Sequence, residues 1–463
     1  MMISKSIQKY QQDKEFYKHL FIIAFPIALQ SLITSSLNML DTMMIGKVGE
    51  LELASVGIAN QYYFLYSLLA NAIAIGSGVL IAQLWGKKDI ENIRKVVGRS
   101  LFYSVGLTLL FMFLGFLLPG KIMSIFNNDP TLIVIGAEYL QIVVVSYLFT
   151  AISFTFASAL RSIGNTSLPM WASFIGLLVN GLLNAILIFG MFGMPELGIK
   201  GAAIATLTAR IVEFLIIVIT VYTNIDVLRV KLLCGLQLPK SLSSTLNKVT
   251  MPILVNEAFW ALGNIAYTAI YARISTSAAA SIQICTTVLN LFMIVTFGLA
   301  NAAVVIIGNE IGANREDKAI DASKKISSLS IKISILLALL MALSAKPIVG
   351  FFNVSDEVKL SSQIILYIYS CILVFRVYNA VMIVGILRGG GDATFGSILQ
   401  GCTLWLIGIP LAAFAAFILK LPLYYVVAFA MIEEIVKVLF MRKRFNSFKW
   451  IKNMVNDNNE CIA

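Results

Sequence analysis

Residues 20–46 read LFIIAFPIALQSLITSSLNMLDTMMIG, an almost unbroken apolar run from Leu20 to Gly46 that holds one proline, Pro26, and one acid, Asp41. At a rise of about 1.5 Å per residue, roughly 20 apolar residues cross the hydrocarbon of a bilayer, so the stretch predicts a spanning helix. Both exceptions are costly there. Pro26 removes a backbone hydrogen bond, and a carboxylate inside a spanning helix costs about 2.5–3.5 kcal/mol on insertion scales. Ser31, Thr34, Asn38 and Asp41 recur every three or four residues and form one polar stripe leading to the acid. Such a stripe is expected to face protein or water. Two readings of Asp41 follow: a headgroup-level residue that ends the helix, or an ionisable site used in transport. An acid in the last turn meets the negative end of the helix dipole, which weighs against the first.

The rest of the chain has the same character. Of its 463 residues 59% are hydrophobic and only 13% charged, which predicts an all-α integral membrane protein. Twelve apolar segments are expected, at about 16–44, 52–85, 98–118, 132–160, 168–189, 198–223, 246–273, 278–311, 320–345, 358–387, 394–417 and 422–440. The net charge of +11 is spent on orientation, not on nucleic acid, which is not an expected partner. Lys5, Lys9, Lys14 and Lys18 precede the first segment, Lys87, Lys88, Arg94, Lys95 and Arg99 follow the second, and Arg442, Lys443, Arg444, Lys449 and Lys452 close the chain. By the positive-inside rule both termini are cytoplasmic, as an even number of spans requires, in a multi-pass protein of the plasma membrane. Cys234, Cys285, Cys371, Cys402 and Cys461 are scattered without a C-x-x-C pair and read as reduced thiols. The Lys-rich start runs straight into a full span, so no cleavable signal is expected.

Moving outward from residues 20–46, the chain repeats itself. At a shift of 226 residues Phe25-Pro26-Ile27 falls on Met251-Pro252-Ile253, Asn38 on Asn264, Ser55 on Ser281 and Gly86 on Gly312. One residue more aligns Leu160-Arg161-Ser162-Ile163-Gly164-Asn165 with Leu387-Arg388-Gly389-Gly390-Gly391-Asp392. Each copy holds six spans, an even number, so the copies are parallel repeats with substrate expected between them. The halves are set at 1–235 and 236–463, joined by a Lys- and Leu-rich linker.

Chemistry is sought where the copies differ. Asp41 falls on Tyr267, while Asn180 and Asn184, neighbours at i,i+4, fall on Ile407 and Leu411. With Thr206 in the sixth span these residues offer oxygen ligands to a hard cation such as sodium. They serve equally as a hydrogen-bonded cage for a carboxyl that gains and loses a proton. In the second copy Asn256, Glu257, Trp260, Asn264, Tyr267 and Tyr271 continue along one helical face after Pro252. Glu257 either binds a cationic substrate or pairs with Arg376. Arg210 and Glu213 are expected to satisfy each other, and Glu433, Glu434 and Lys437 to lie at the membrane interface. Tyr62, Tyr63, Phe64 and Tyr66, with Met39, Met43 and Met44, line an adaptable pocket in one reading and pack helices in the other. Enzyme motifs are absent: the only histidine is His19, and there is no H-E-x-x-H, G-x-S-x-G or phosphate loop.

The order of these signals resembles the multidrug and toxic compound extrusion (MATE) transporters. The resemblance rests on the first-span proline followed by L-D-T-M-M-I-G, the A-x-x-G-I-A-N opening and A-Q-L-W-G-K-K end of the second span, the L-R-S-I-G-N-T-S-L-P loop and the corresponding signals of the second half. It implies two six-helix bundles forming a V around a central chamber, and export of drug-like, often cationic compounds in exchange for protons or sodium. It implies a cation site at Asp41 with Asn180, Asn184 and Thr206 beside it, and no cofactor beyond the coupling ion. Substrate contacts are then expected at Asn38, Met39, Glu257, Trp260 and Tyr267, a conformational bend at Pro26, and small organic substrates and the lipid bilayer as the partners of a monomer. The chain departs from the family pattern in three places: Asn184 stands where some members carry aspartate, the seventh-span glutamate of other members falls at Trp260, and Gly396 replaces a loop proline. Flippases of lipid-linked saccharides are the alternative. Major-facilitator transporters also have two six-span halves, but Gly86-Lys87-Lys88-Asp89 does not follow their loop.

Overall fold

The computed structural model describes residues 2–231, 238–352 and 354–456. The expected boundary at 235/236 and two of the cysteines, Cys234 and Cys461, lie outside them; Cys285, Cys371 and Cys402 are free thiols. Among the described residues there are helices, turns and loops and no strand. In order come α1 (Met2–Ile45), α2 (Glu50–Lys87), α3 (Ile90–Leu117), α4 (Pro130–Val143 and Ser146–Ser162), α5 (Ser167–Phe189) and α6 (Gly198–Asn224). The second copy supplies α7 (Lys240–Ala272), α8 (Thr276–Gly312), α9 (Glu316–Gly350), α10 (Asp356–Leu387), α11 (Ala393–Ile418) and α12 (Leu423–Ala430 and Ile432–Asn446).

Nine of these are single helices long and apolar enough to cross a membrane, and the two parts of α4 make a tenth. The remaining two are α7 and α12, the latter broken into an 8-residue and a 15-residue helix, and with them the helices are consistent with twelve spans. Where one straight span was expected over 132–160, α4 bends by 49° at its break. The outer surface fits hydrocarbon: Phe113 of α3, Leu343 of α9 and Leu439 of α12 are each more than 60% exposed, a density of apolar surface that a soluble monomer does not show.

The repeat seen in the sequence is reproduced in the helix ends. After α2, Lys88 turns into the left-handed region and the Lys88 and Asp89 amides donate back to Trp85 and Leu84. After α8, Asn314 does the same, with Asn314 and Arg315 donating to Ile311 and Glu310. The L-R-x-x-G-[N/D] loops are likewise one structure used twice. Gly164 has φ 89° and Gly391 φ 87°, a conformation in which glycine avoids the Cβ penalty and lets following amides reach the last carbonyls. Asn165 donates to Leu160 and Asp392 to Leu387.

Two compact units are present, Leu29–Thr250 and Met1–Ala28 together with Met251–Ala463. The divisions fall beside Pro26 and Pro252, so each proline-bearing helix is shared between the units. In the second unit Leu20, Ile23 and Ile27 of α1 are buried with Leu299, Ala303 and Ile306 of α8. The first unit's core joins Val56, Tyr62 and Tyr66 of α2 to Tyr139, Leu140 and Tyr147 of α4 and Ala202 of α6. Tyr66 is fully buried, stacks on Tyr147 with ring centroids 4.5 Å apart and donates to the Tyr147 carbonyl at 2.6 Å. Tyr62 donates to the Phe111 carbonyl at 2.8 Å. These two rings pack helices; Phe64, Met39 and Met43 are exposed.

Among the described residues the second unit has π-helical turns that the first does not. α10 ends in a π-helical turn, Val381–Leu387, and α11 contains two more, Leu404–Gly408 and Phe414–Ile418. Pro410 follows the first of the α11 turns and cannot donate to a carbonyl of the preceding turn, which favours a locally widened helix. Beyond α12 the chain folds back on the α10–α11 loop: Trp450 is fully buried against Gly390, Lys452 donates its amide to the Gly390 carbonyl at 2.8 Å, and any Cβ at Gly390 would overlap the indole. Asp392, 1% exposed, accepts from both Arg444 and Lys452.

Candidate functional site

The best-built polar centre of the Leu29–Thr250 unit lies where α1, α5 and α6 meet. Asn180 and Asn184 are one helical turn apart on α5 and both are fully buried, so their amides need partners. The Asn184 Nδ2 donates to the Asp41 carboxylate at 2.5 Å and to Asn180 Oδ1 at 3.0 Å. Asn180 Nδ2 in turn reaches Thr206 Oγ1 on α6 at 3.4 Å. All four residues expected at the cation site are thus in one hydrogen-bonded chain. Asn184 Oδ1 is buried without a partner, so the centre holds a carboxylate and an unused amide oxygen side by side. That donor set suits a hard monovalent cation or a proton. Tyr139 of α4 is buried beside Thr206.

A second chain of polar contacts runs alongside. Arg210 pairs with Glu213 at 2.8 Å as the i,i+3 spacing predicts, Glu213 accepts from Ser173 at 2.7 Å, and Ser173 accepts from Gln30 at 3.1 Å. Gln30 also accepts from Arg161 at 3.3 Å. The Arg210 charge acts on Asp41 through space. Sequence reasoning missed the Gln30–Arg161 contact, although the repeat alignment that set Arg161 on Arg388 contained the signal.

In the other unit Arg388 donates to Glu257 at 3.0 Å. Glu257 was expected either to bind a cationic substrate or to pair with Arg376; its ion-pair partner is Arg388, a helical residue at the end of α10, 2% exposed. Glu433, Glu434 and Lys437 were expected at the interface. They are buried within the protein, at 5%, 7% and 5% exposure, and held together by ion pairs.

The sequence matches the MatE family over residues 26–186 and again over 252–414, together more than two thirds of the chain. The chain belongs to the MatE family. Members of the MatE family are membrane transporters and not enzymes. Similar proteins include the uncharacterized transporter YisQ of Bacillus subtilis, 25% identical over 446 residues covering 95% of this chain and 96% of that one. The probable multidrug resistance protein NorM of Thermotoga maritima is 24% identical over 457 residues, 96% of this chain and 95% of its own. Among solved structures a variant of the Vibrio cholerae MATE transporter VcmN superposes with a TM-score of 0.86 at 20% identity, covering 95% of this chain and 99% of that one. The MatE fold is therefore present over essentially the whole chain.

The residues expected to touch substrate are dispersed over both units of this MatE protein. In the first, Asn38 and Met39 are exposed on α1, one turn and less from Asp41. In the second, Trp260 is 39% exposed on α7, whereas Tyr267 is partly buried and stacked on Tyr271 with rings 6.0 Å apart. Tyr267 is thus tied into the α7–α12 packing.

Proposed function

We propose that this MatE protein is a cation-coupled antiporter that exports drug-like, often cationic organic compounds by alternating access, taking up a proton or a sodium ion at Asp41. The observation that carries the reading is the Asp41–Asn184 contact beside the unpartnered Asn184 Oδ1: a carboxylate in a spanning helix with an acceptor pair ready for a positive charge. Relatives named as multidrug resistance proteins support the substrate class. No cofactor beyond the coupling ion is needed for such exchange.

In the cycle, a cation entering from outside neutralises Asp41 and weakens its charge-assisted hydrogen bond from Asn184. α1 then has less reason to hold its place against α5. Pro26 supplies the weak point, since the carbonyl one turn before it has no amide to bond. The halves 1–235 and 236–463 act as the alternating bodies, with both termini in the cytoplasm of a monomer in the plasma membrane. The membrane potential contributes about 2.3 kcal/mol per charge per 100 mV, enough for roughly fortyfold accumulation at about 1.4 kcal/mol per decade.

The test is efflux of an organic cation from proteoliposomes with sodium and pH gradients imposed one at a time. Wild type responds to one of the gradients, and Asp41→Asn folds but transports only downhill. Undiminished uphill efflux by Asp41→Asn would remove the assignment.

A further inference from the structure

The outward face of α9 carries a polar stripe where its counterpart in the first copy, α3, carries none. At the 226-residue shift the buried positions of the two helices coincide: Ile93 falls on Ala319, Ser100 on Ile326, Ser104 on Ser330 and Thr108 on Ser334, all buried. The opposite faces coincide too. Leu109, Leu110 and Phe113 of α3 fall on Ile335, Leu336 and Leu339 of α9, each between 48% and 62% exposed, so this face meets hydrocarbon in both copies. Toward the amino-terminal ends the copies part: α3 continues the face with Phe102 and Gly106, whereas α9 places Ser328 and Lys332 there, with Lys324 one turn before Ser328. All three of these α9 residues are exposed.

Residues 326–345 hold a single charge, that of Lys332, about 10 Å along the helix axis from Lys325. An ammonium on a lipid-facing surface is costly. Among the described residues no carboxylate pairs with Lys332 or Lys324, and the neighbouring acids Asp13 and Asp321 are both taken by Lys325, each at 2.6 Å. The Ser328 hydroxyl has no hydrogen bond among them either. Helical side chains lean toward the amino-terminal end and a lysine stem carries its head toward the polar surface, so Lys332 can reach back over Ser328 toward Lys324, about 12 Å away along the axis. Lys324 Nζ sits over the Phe448 ring, 5.9 Å from its centroid, and Phe448, 43% exposed, is held in the left-handed region at φ 55° just after α12. Two ammoniums flanking a hydroxyl, continued by an apolar face, match a phosphate that carries acyl chains: its oxygens accept charge-assisted bonds at about 2.8 Å, and the chains lie along Ile335 and Leu339. We propose that the Lys324–Ser328–Lys332 face of α9 binds the phosphate of an anionic phospholipid, in the leaflet at the amino-terminal end of α9, the cytoplasmic one by the positive-inside rule. A zwitterionic lipid brings an ammonium of its own against the two lysines, and a free anion has no chains to cover the apolar face. The assignment does not rest on the antiporter reading, because it requires no transport.

Native mass spectrometry of the full chain released from detergent, with phosphatidylglycerol or phosphatidylethanolamine titrated in, tests this. Wild type is expected to hold phosphatidylglycerol the more tightly of the two. Lys332→Leu and Ser328→Phe are each expected to weaken phosphatidylglycerol about tenfold, the scale of one lost hydrogen bond to a charged group. The first removes an ammonium; the second sets the first copy's ring on the phosphate position and leaves the charge unchanged. Lys121→Gln, an equal loss of charge at an exposed site of the first unit, is expected to bind like wild type. Both α9 variants restore the apolar face of α3, and gel filtration checks that they fold; should either fail, Lys324→Gln takes its place with the same expected loss. Equal affinity for the two lipids, wild-type affinity in either α9 variant, or an equal loss in Lys121→Gln overturns the proposal. So does displacement of the lipid by inorganic phosphate, which would mark a free-anion site, or a dimer that Lys332→Leu dissociates, which would mark a face between copies of this chain.

Discussion

The Arg388 guanidinium meets the Glu257 carboxylate at 3.0 Å, and in the first copy Arg161, the residue that repeats as Arg388, donates to Gln30, one position out of register with Glu257, at 3.3 Å. The two contacts tie the proline-bearing helix of each copy to the end of its fourth span. One is an ion pair and the other an ion–amide contact, so the anchor is structural first and its charge is optional. Breaking a buried pair by removing one partner costs about 3–5 kcal/mol, because a charge is left behind. Glu257→Ala should therefore lower thermal stability in detergent strongly. Glu257→Gln keeps an amide oxygen as acceptor for Arg388, the kind of contact Gln30 makes with Arg161, and should cost about 1–2 kcal/mol. Equal losses for the two variants would show that the negative charge itself is required.

At the Asp41 centre the effects should be graded by distance. Asn184 is the residue that touches Asp41, so Asn184→Leu should reduce coupled efflux about 10–100-fold, the usual loss when a group that orients a ligand is removed. Thr206→Val removes only the 3.4 Å contact at the far end of the chain of hydrogen bonds, and its effect should be several-fold smaller in the same vesicle assay.

The α2 aromatic residues divide by role. Tyr66→Phe leaves the Tyr147 carbonyl and the Thr108 hydroxyl short of a partner and should cost about 1–2 kcal/mol of stability without changing which compounds are exported. Phe64, half exposed, should tolerate alanine within about 0.5 kcal/mol. Melting of both variants, with efflux of several dyes, checks the division.

The tail beyond α12 is a built part of the second unit. Trp450→Ala empties a fully buried site beside Phe445, whose ring stacks on it at 5.9 Å, and should cost about 3–5 kcal/mol. Gly390→Val should have a similar effect from the opposite side. In both variants limited proteolysis should release the segment after Asn446 earlier than in wild type.

The helices, their order and their duplication were legible in the amino-acid sequence, because a spanning helix is a local object: its length, its apolarity and its glycine-ended turns are written in consecutive residues. Asp41, Asn180, Asn184 and Thr206 were legible as a group because each is polar where its surroundings are not. Arg210 and Glu213 were legible because they share one helix. The partner of Glu257 was not, since Arg376 and Arg388 belong to the same span and only the packing of that span against α7 selects between them. Nor was the burial of Glu433, Glu434 and Lys437, whose charges read as surface until α10 and α7 cover them with Asn379 and Tyr267. Periodicity and spacing determined which segments cross the membrane and which faces are polar. Which polar groups meet was decided by tertiary packing, because a buried charge takes its partner from whatever helix comes within about 3 Å, and that distance is set by contacts made hundreds of residues apart.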